Sequence, residues 1–578
     1  MKHIKKVLSV VCAALMAMPM ALGLVSCKKG SDGEFDDQGN YKPSRDTTEL
    51  QFWGWGDDTE STVFQTITDN FNQTVGKENN ISVRYTQKAA NSYSSNTALS
   101  LAGNNPPDIV YVEDKYVKSW ADAGYLVQLD TKTNGEYDLK GYDFENSEKK
   151  LWDSGLSRYR FNPQTTTSNA NDPLWALPKD IGPTVLYYNT VYLKKRNITE
   201  ISVPESELAA YNKAHGTNYT AKGYDAEKKV FNNRIAMNWS ETIALAREMQ
   251  EIDGCDFGYY NEWWYAYGWS VGGDVVEYVS DNGGSYYKFT LNDKTPNYIV
   301  KDDETSITVN GTTYQAGEIV SYTDKTAMSA SDKGKCNELP SMYDAFLEFV
   351  ALTSKEGTEV GTKTDGSIQK GYGVSMGAQS LGTADAEDYF ASGKFGMFVD
   401  IRSEVSMLRE KMSNSTQWGA GSWNVAPLPV YKEYNADGSV KAHGIAAGHS
   451  SSMGLAISEG SQKKNAAWVF LKYMAGEEGQ TTQAKAGFAL PNQIALANDE
   501  DVFLQTKQDP SNSIVFVEAA AYQRPGDWWT LTDSTWIDDW ASYLNYTVRE
   551  NKATVDEMFN KYYDKTQTKL YAYTGYKG

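Results

Sequence analysis

Apolar positions along this chain follow two rhythms. Leu50-Gln51-Phe52-Trp53-Gly54-Trp55 is a short apolar strand running into glycine and acids, and Ile81–Tyr85 reads as the next strand. Between them Phe64, Ile67 and Phe71 recur at helical spacing. Pro107–Val112 is a buried-type strand closed by Glu113 and Asp114. This strand–helix–strand order predicts an α/β fold with a largely parallel sheet, ligands being met outside the strand ends. Asn238-Trp239-Ser240-Glu241 offers a helix cap with a carboxylate three residues on, and Trp239, Ile243, Ala246 and Met249 form the apolar face behind it. Ala466–Met474 is a further helix, stopped near Gly476. Between 281 and 339 the pattern changes. Ile307–Tyr314 there predicts a hairpin turning at Asn310-Gly311, and the stretch reads as an insertion.

The first thirty residues have another pattern. Three lysines lie within Met1–Lys6, and Val7–Leu24 is almost wholly apolar. A basic start before an apolar stretch predicts an export signal, although the length also suits a membrane-spanning helix. The ending decides: Leu24-Val25-Ser26-Cys27 resembles the bacterial lipobox, which implies cleavage after residue 26 and lipid on Cys27. Residues 27–47 are polar and fit a flexible tether.

Composition narrows the chemistry. The formal charge of −20 becomes −23 once residues 1–26, with three lysines and no acids, are removed. That argues against nucleic acid, whose phosphates need a basic face. Aromatic residues make up 13%, with 16 Trp and 39 Tyr, a larger supply than core packing usually asks for. Half-exposed rings stack well on the apolar faces of sugars. After processing, Cys255 and Cys336 remain; an oxidising compartment permits a bridge, but sequence does not supply the required separation. His215, His443 and His449 are too scattered for a zinc site, and no cofactor motif is present. A surface glycoside hydrolase needs only two carboxylates and stays open as an alternative. A surface glycan-capturing lipoprotein is another, though those are mainly helical repeats.

Nine pieces in order carry a family resemblance. They are Gln51–Gly56, Leu101–Val110, Trp120–Leu126, Trp175–Pro178 leading to Tyr187-Tyr188-Asn189, the Asn238–Met249 helix, Tyr389–Met397, Ala426–Pro429, Gly454–Ser458 and Gly487–Pro491. The chain is similar to the bacterial extracellular solute-binding proteins, family 1, the group that includes maltose-binding protein. The resemblance implies a two-lobed periplasmic-binding-protein-like α/β fold with a hinge and a ligand cleft, and no catalysis. Transferred here, one lobe comprises 48–180 and 430–492. The other comprises 181–429 and 493–578, with insertions near 205–235 and 281–339 and hinges near 178–184 and 426–430. It implies a carbohydrate ligand, expected to be a neutral oligosaccharide, permease subunits of an ABC importer as partners, and a lipid-anchored monomer outside the cytoplasm.

Cleft residues follow from position. Trp53 and Trp55 end the first strand and are expected to stack on a sugar, core packing being the plainer reading. Glu113, Asp114 and Asp180 are expected to accept hydroxyl hydrogen bonds. Glu262-Trp263-Trp264 and Arg524 with Trp528-Trp529 supply the family's aromatic contacts, and Asp400, Arg402 and His449 complete the set. Which member of each Trp pair meets ligand is beyond the sequence.

Overall fold

The computed structural model describes residues 34–35, 41–42 and 46–577, leaving out 57, 131–149, 264, 378–380, 382–384, 488, 505–506, 527–530 and 533. Cys27, Trp264, Trp528 and Trp529 therefore lie outside the described residues. In the N-terminal unit, 1–47, the described part is an antiparallel pairing of Glu34–Phe35 with Tyr41–Lys42.

Among the sheets of the second unit, 48–578, a five-stranded and a three-stranded one lie on separate cores. In the first sheet the order is Ile81–Gln87, Thr48–Gly54, Ile109–Glu113, Met453–Ile457, Leu177–Pro178. Leu50 and Phe52 alternate inward along the Thr48–Gly54 strand, and the helix Asp58–Gln73 lays Phe64, Ile67 and Phe71 on them. The first three strands are parallel, as the sequence rhythm predicts. Met453–Ile457 runs antiparallel to both its neighbours, because the chain leaves for the second lobe after Pro178 and re-enters at Met453 beside the same end of the sheet; Leu177–Pro178 on its far side therefore runs with the first three.

The second sheet departs from the parallel expectation altogether. Val185–Asn189 lies between Met397–Asp400 and Trp423–Ala426, antiparallel to both. Both its faces are covered: Leu186 and Tyr188 enter one core, Val185 and Tyr187 another. The helix Trp239–Gln250 begins with the expected capping box between Asn238 and Glu241. The insertions carry small cores of their own, one around Leu208 and Ile235, the other around Ile307 and Tyr314. In the second, Ser306–Val309 and Thr312–Gln315 form the expected hairpin. Asn310 and Gly311 both take positive φ, 49° and 87°, as a two-residue turn requires. Cys255 and Cys336 are buried in different cores and are not bridged.

The chain passes between the sheets twice side by side, Gly182–Pro183 pairing antiparallel with Ser450–Ser451. The two passages approach closely: a Cβ on Gly182 would lie 2.6 Å from Ser451 Oγ and 3.2 Å from Ser451 O. The return passage is thus later than 426–430. Residues 430–447, expected with the first lobe, pack on the second, since Leu428, Tyr431 and Ala447 join its core.

Candidate functional site

Both passages border a cavity of about 630 Å³. Trp55, Glu60, Tyr111, Glu113, Lys179 and Asp180 line it from the first lobe, and Ser451, Ser452 and Met453 from the returning strand. Glu387, the run Ile401–Glu404, Ser406, Met407 and Glu410 face them from the second. Cavities of about 490 Å³ around Trp239 and about 420 Å³ around Trp53 each stay within one lobe. The larger space joining the lobes is the candidate site.

Its first-lobe wall is organised by one lysine. Lys179 is 1% exposed, and its Nζ lies 2.9 Å from Glu60 Oε1 and 2.6 Å from Asp180 Oδ2. Burial alone would lower its pKa, but Asp180 and Glu60 outweigh that and hold it above the ordinary lysine range. Tyr111 Oη donates to the same oxygen of Glu60. The Tyr111 ring then meets the edge of Trp55, centroids 6.1 Å apart. Strand, helix and passage thereby fix the indole and two carboxylates together. Glu113 takes Lys115 at 2.7 Å and Ser94 Oγ at 3.2 Å.

On the second-lobe wall, Glu387, Glu404 and Glu410 face the cavity beside Arg402. Arg402 is 3% exposed; its Nη1 donates to Gly487 O at 2.9 Å and its guanidinium lies over Phe503 and Phe516. In all, six carboxylates and two cations line the space, and Lys179 is already held between two of those carboxylates. The walls present acceptors and negative potential.

The predicted residues divide accordingly. Trp55, Glu113, Asp180 and Arg402 come together around the cavity. Trp53 does not: the strand ends at Gly54, so the two indoles part, and Lys88 Nζ sits 3.7 Å from the Trp53 ring centroid. Asp114 turns inward to Arg158, 2.9 Å away, which also donates to Ser450 O at 2.7 Å. It ties the helix Asp114–Asp122 to the passage. Trp263 stacks on buried His449 with centroids 4.4 Å apart, so each covers the other. Burial, then Arg158, lowers the His449 pKa well below its ordinary value, which keeps the ring neutral. Glu262 is exposed and accepts from Tyr260 Oη. Arg524 pairs with Asp274 over the Trp269 ring, beside a separate cavity of about 410 Å³. Asp400 lies behind Ile401, accepting that residue's N–H at 2.8 Å. Glu60, Tyr111, Lys179 and Glu404 were not anticipated. Lys179 sits beside Asp180 in sequence, and its adjacency to a predicted acid is the one signal that pointed to it.

Two mixed lobes, paired passages and a cleft between them agree with what the chain resembles by comparison. Two models described as bacterial extracellular solute-binding protein match residues 66–325 and 287–481. The chain belongs to the bacterial extracellular solute-binding proteins, a family of extracytoplasmic binding proteins and not of enzymes. Its fold is that of the two-lobed MalE-like proteins. The sugar-binding protein MalE of Xanthomonas citri matches with a TM-score of 0.56 at 11% identity, over 92% of this chain and 100% of that one. An ABC substrate-binding protein of Listeria monocytogenes in complex with cycloalternan gives 0.55 at 15%, over 92% and 100%. UgpB of Mycobacterium tuberculosis in complex with glycerophosphocholine gives 0.55 at 15%, over 91% and 100%. At these identities the likeness concerns the fold. No curated protein sequence matches the chain.

Proposed function

We propose that this protein captures a neutral oligosaccharide between its lobes and hands it to the permease subunits of an ABC importer. We further propose that it does so as a monomer held to the membrane by lipid on Cys27. The carrying observation is the joint cavity, with the Trp55 indole set beside carboxylates that accept hydroxyl hydrogen bonds. A hydrogen bond to a charged acceptor contributes about 1.5–3 kcal/mol, and an aromatic face adds apolar contact with a sugar ring. Lobe closure about the paired passages would enclose the ligand, the hinge motion general to periplasmic binding proteins. Two of the similar structures are a sugar-binding protein and a cycloalternan complex, which supports a carbohydrate. The third holds glycerophosphocholine, so the choice rests on this cleft's own lining. Six carboxylates against two cations repel a polyanionic sugar.

Isothermal calorimetry against neutral malto-, cello- and xylo-oligosaccharides and against oligogalacturonate tests the reading. Binding of a neutral sugar, with Trp55→Ala at least tenfold weaker (about 1.4 kcal/mol), is expected. Silence across the neutral panel, preference for oligogalacturonate, or hydrolysis of sugar during the titration would refute it.

A further inference from the structure

We propose that the hairpin formed by Val276–Asp281 and Gly284–Phe289 is a strap that holds the two lobes together. This inference rests on lobe closure as the binding motion and names a regulator of it. The hairpin grows from the second lobe, where Val276, Tyr287 and Phe289 join the core and Tyr278 stands directly across from Tyr287. Tyr287 is 7% exposed, yet its hydroxyl reaches out of that core and donates to Thr166 O at 3.2 Å.

Thr166 belongs to the other lobe. Tyr159 and Leu174 are in the first lobe's core, and the chain between them is an excursion closed by bridges from Arg160 to Leu174 and from Asn162 to Thr167. The excursion is held from within. Asn162 N donates to Thr167 O at 2.9 Å, Thr166 N to Asn162 O at 2.8 Å, and Thr167 Oγ1 to Asp172 Oδ2 at 3.0 Å. These bonds keep Thr166 at φ 56°, a left-handed conformation that a β-branched residue adopts only when its surroundings impose it. The conformation directs the Thr166 carbonyl to the hydroxyl arriving from the second lobe. Lobe separation must break that bond while leaving each side's own packing intact. A single hydrogen bond shifts such an equilibrium by only a few-fold, which is the range in which a lobe equilibrium is tunable.

Small-angle X-ray scattering of the ligand-free protein tests the strap. Tyr287→Phe keeps the ring and removes the donor. A larger radius of gyration than wild type is expected, with an unchanged thermal midpoint, because the contact joins lobes that have separate cores. Asn162→Ala loosens the loop from the first-lobe side, where Asn162 Oδ1 takes Gln164 N at 3.0 Å, and should open the protein likewise even where Tyr287→Phe fails to fold. Tyr278→Phe, on the exposed neighbour, should leave the scattering as it is. Wild-type scattering from both Tyr287→Phe and Asn162→Ala, or equal opening by Tyr278→Phe, would overturn the strap. Neither result depends on a sugar, so failure of the calorimetric panel and failure of the strap are separate outcomes.

Discussion

Asp400 ends the Met397–Asp400 strand one residue behind the cavity wall, and its surroundings work against its charge. Burial first, then Glu404, pushes its pKa well above the ordinary carboxylate value. An acid raised in this way contributes stability that is fully present below its unfolded pKa, near 3.9, and is lost as pH rises through the folded value. Asp400→Asn removes a group whose ionisation folding resists, while its amide oxygen can still accept the Ile401 N–H. Thermal melts should therefore put the variant about 2 °C or more above wild type at pH 7–8, with the gap closing below about pH 3.5. A gap that persists in acid would assign the effect to packing instead of charge.

The passage at Leu177–Gly182 shows how an element depends on a polar contact inside it. Removing Lys179 would leave Glu60 and Asp180 without their cation in a nearly closed space. Breaking a buried pair from one side costs roughly 3–5 kcal/mol. Lys179→Met should lower the urea midpoint accordingly, and adding Glu60→Gln should recover part of the loss, a coupling that a double-mutant cycle reads directly. Periodic features were legible in the sequence: the Asn238 cap, the Asn310-Gly311 hairpin, and the Phe64–Ile67–Phe71 face. They are set by neighbours a few residues away. The Glu60–Lys179–Tyr111 contact joins residues 119 and 51 positions apart and leaves no period to read. Trp55 was legible as a cleft aromatic, while its separation from Trp53 depended on where the strand stops. The antiparallel second sheet was hidden for a related reason. Strand direction there is set by the long connections between Asn189, Met397 and Trp423, and apolar runs look the same in either direction.

For the whole molecule, attachment and capture are separate properties. No described helix is long and apolar enough to cross a membrane. The chain's formal charge of −20 is repelled by an anionic bilayer surface, so electrostatic adhesion does not substitute for an anchor. One acyl chain binds membranes only reversibly, whereas two or more hold stably, each buried CH₂ contributing about 0.8 kcal/mol. Lipid on Cys27 would supply that hold. Cys27→Ser should therefore move the exported protein from the membrane fraction to the soluble fraction. Its melting temperature and sugar affinity should stay at wild-type values, because the change lies outside the 48–578 unit. Fractionation of expressing cells with mass spectrometry of the N-terminus checks both arms. Continued membrane partition by the serine variant would mean that the apolar stretch before residue 25 is itself the anchor.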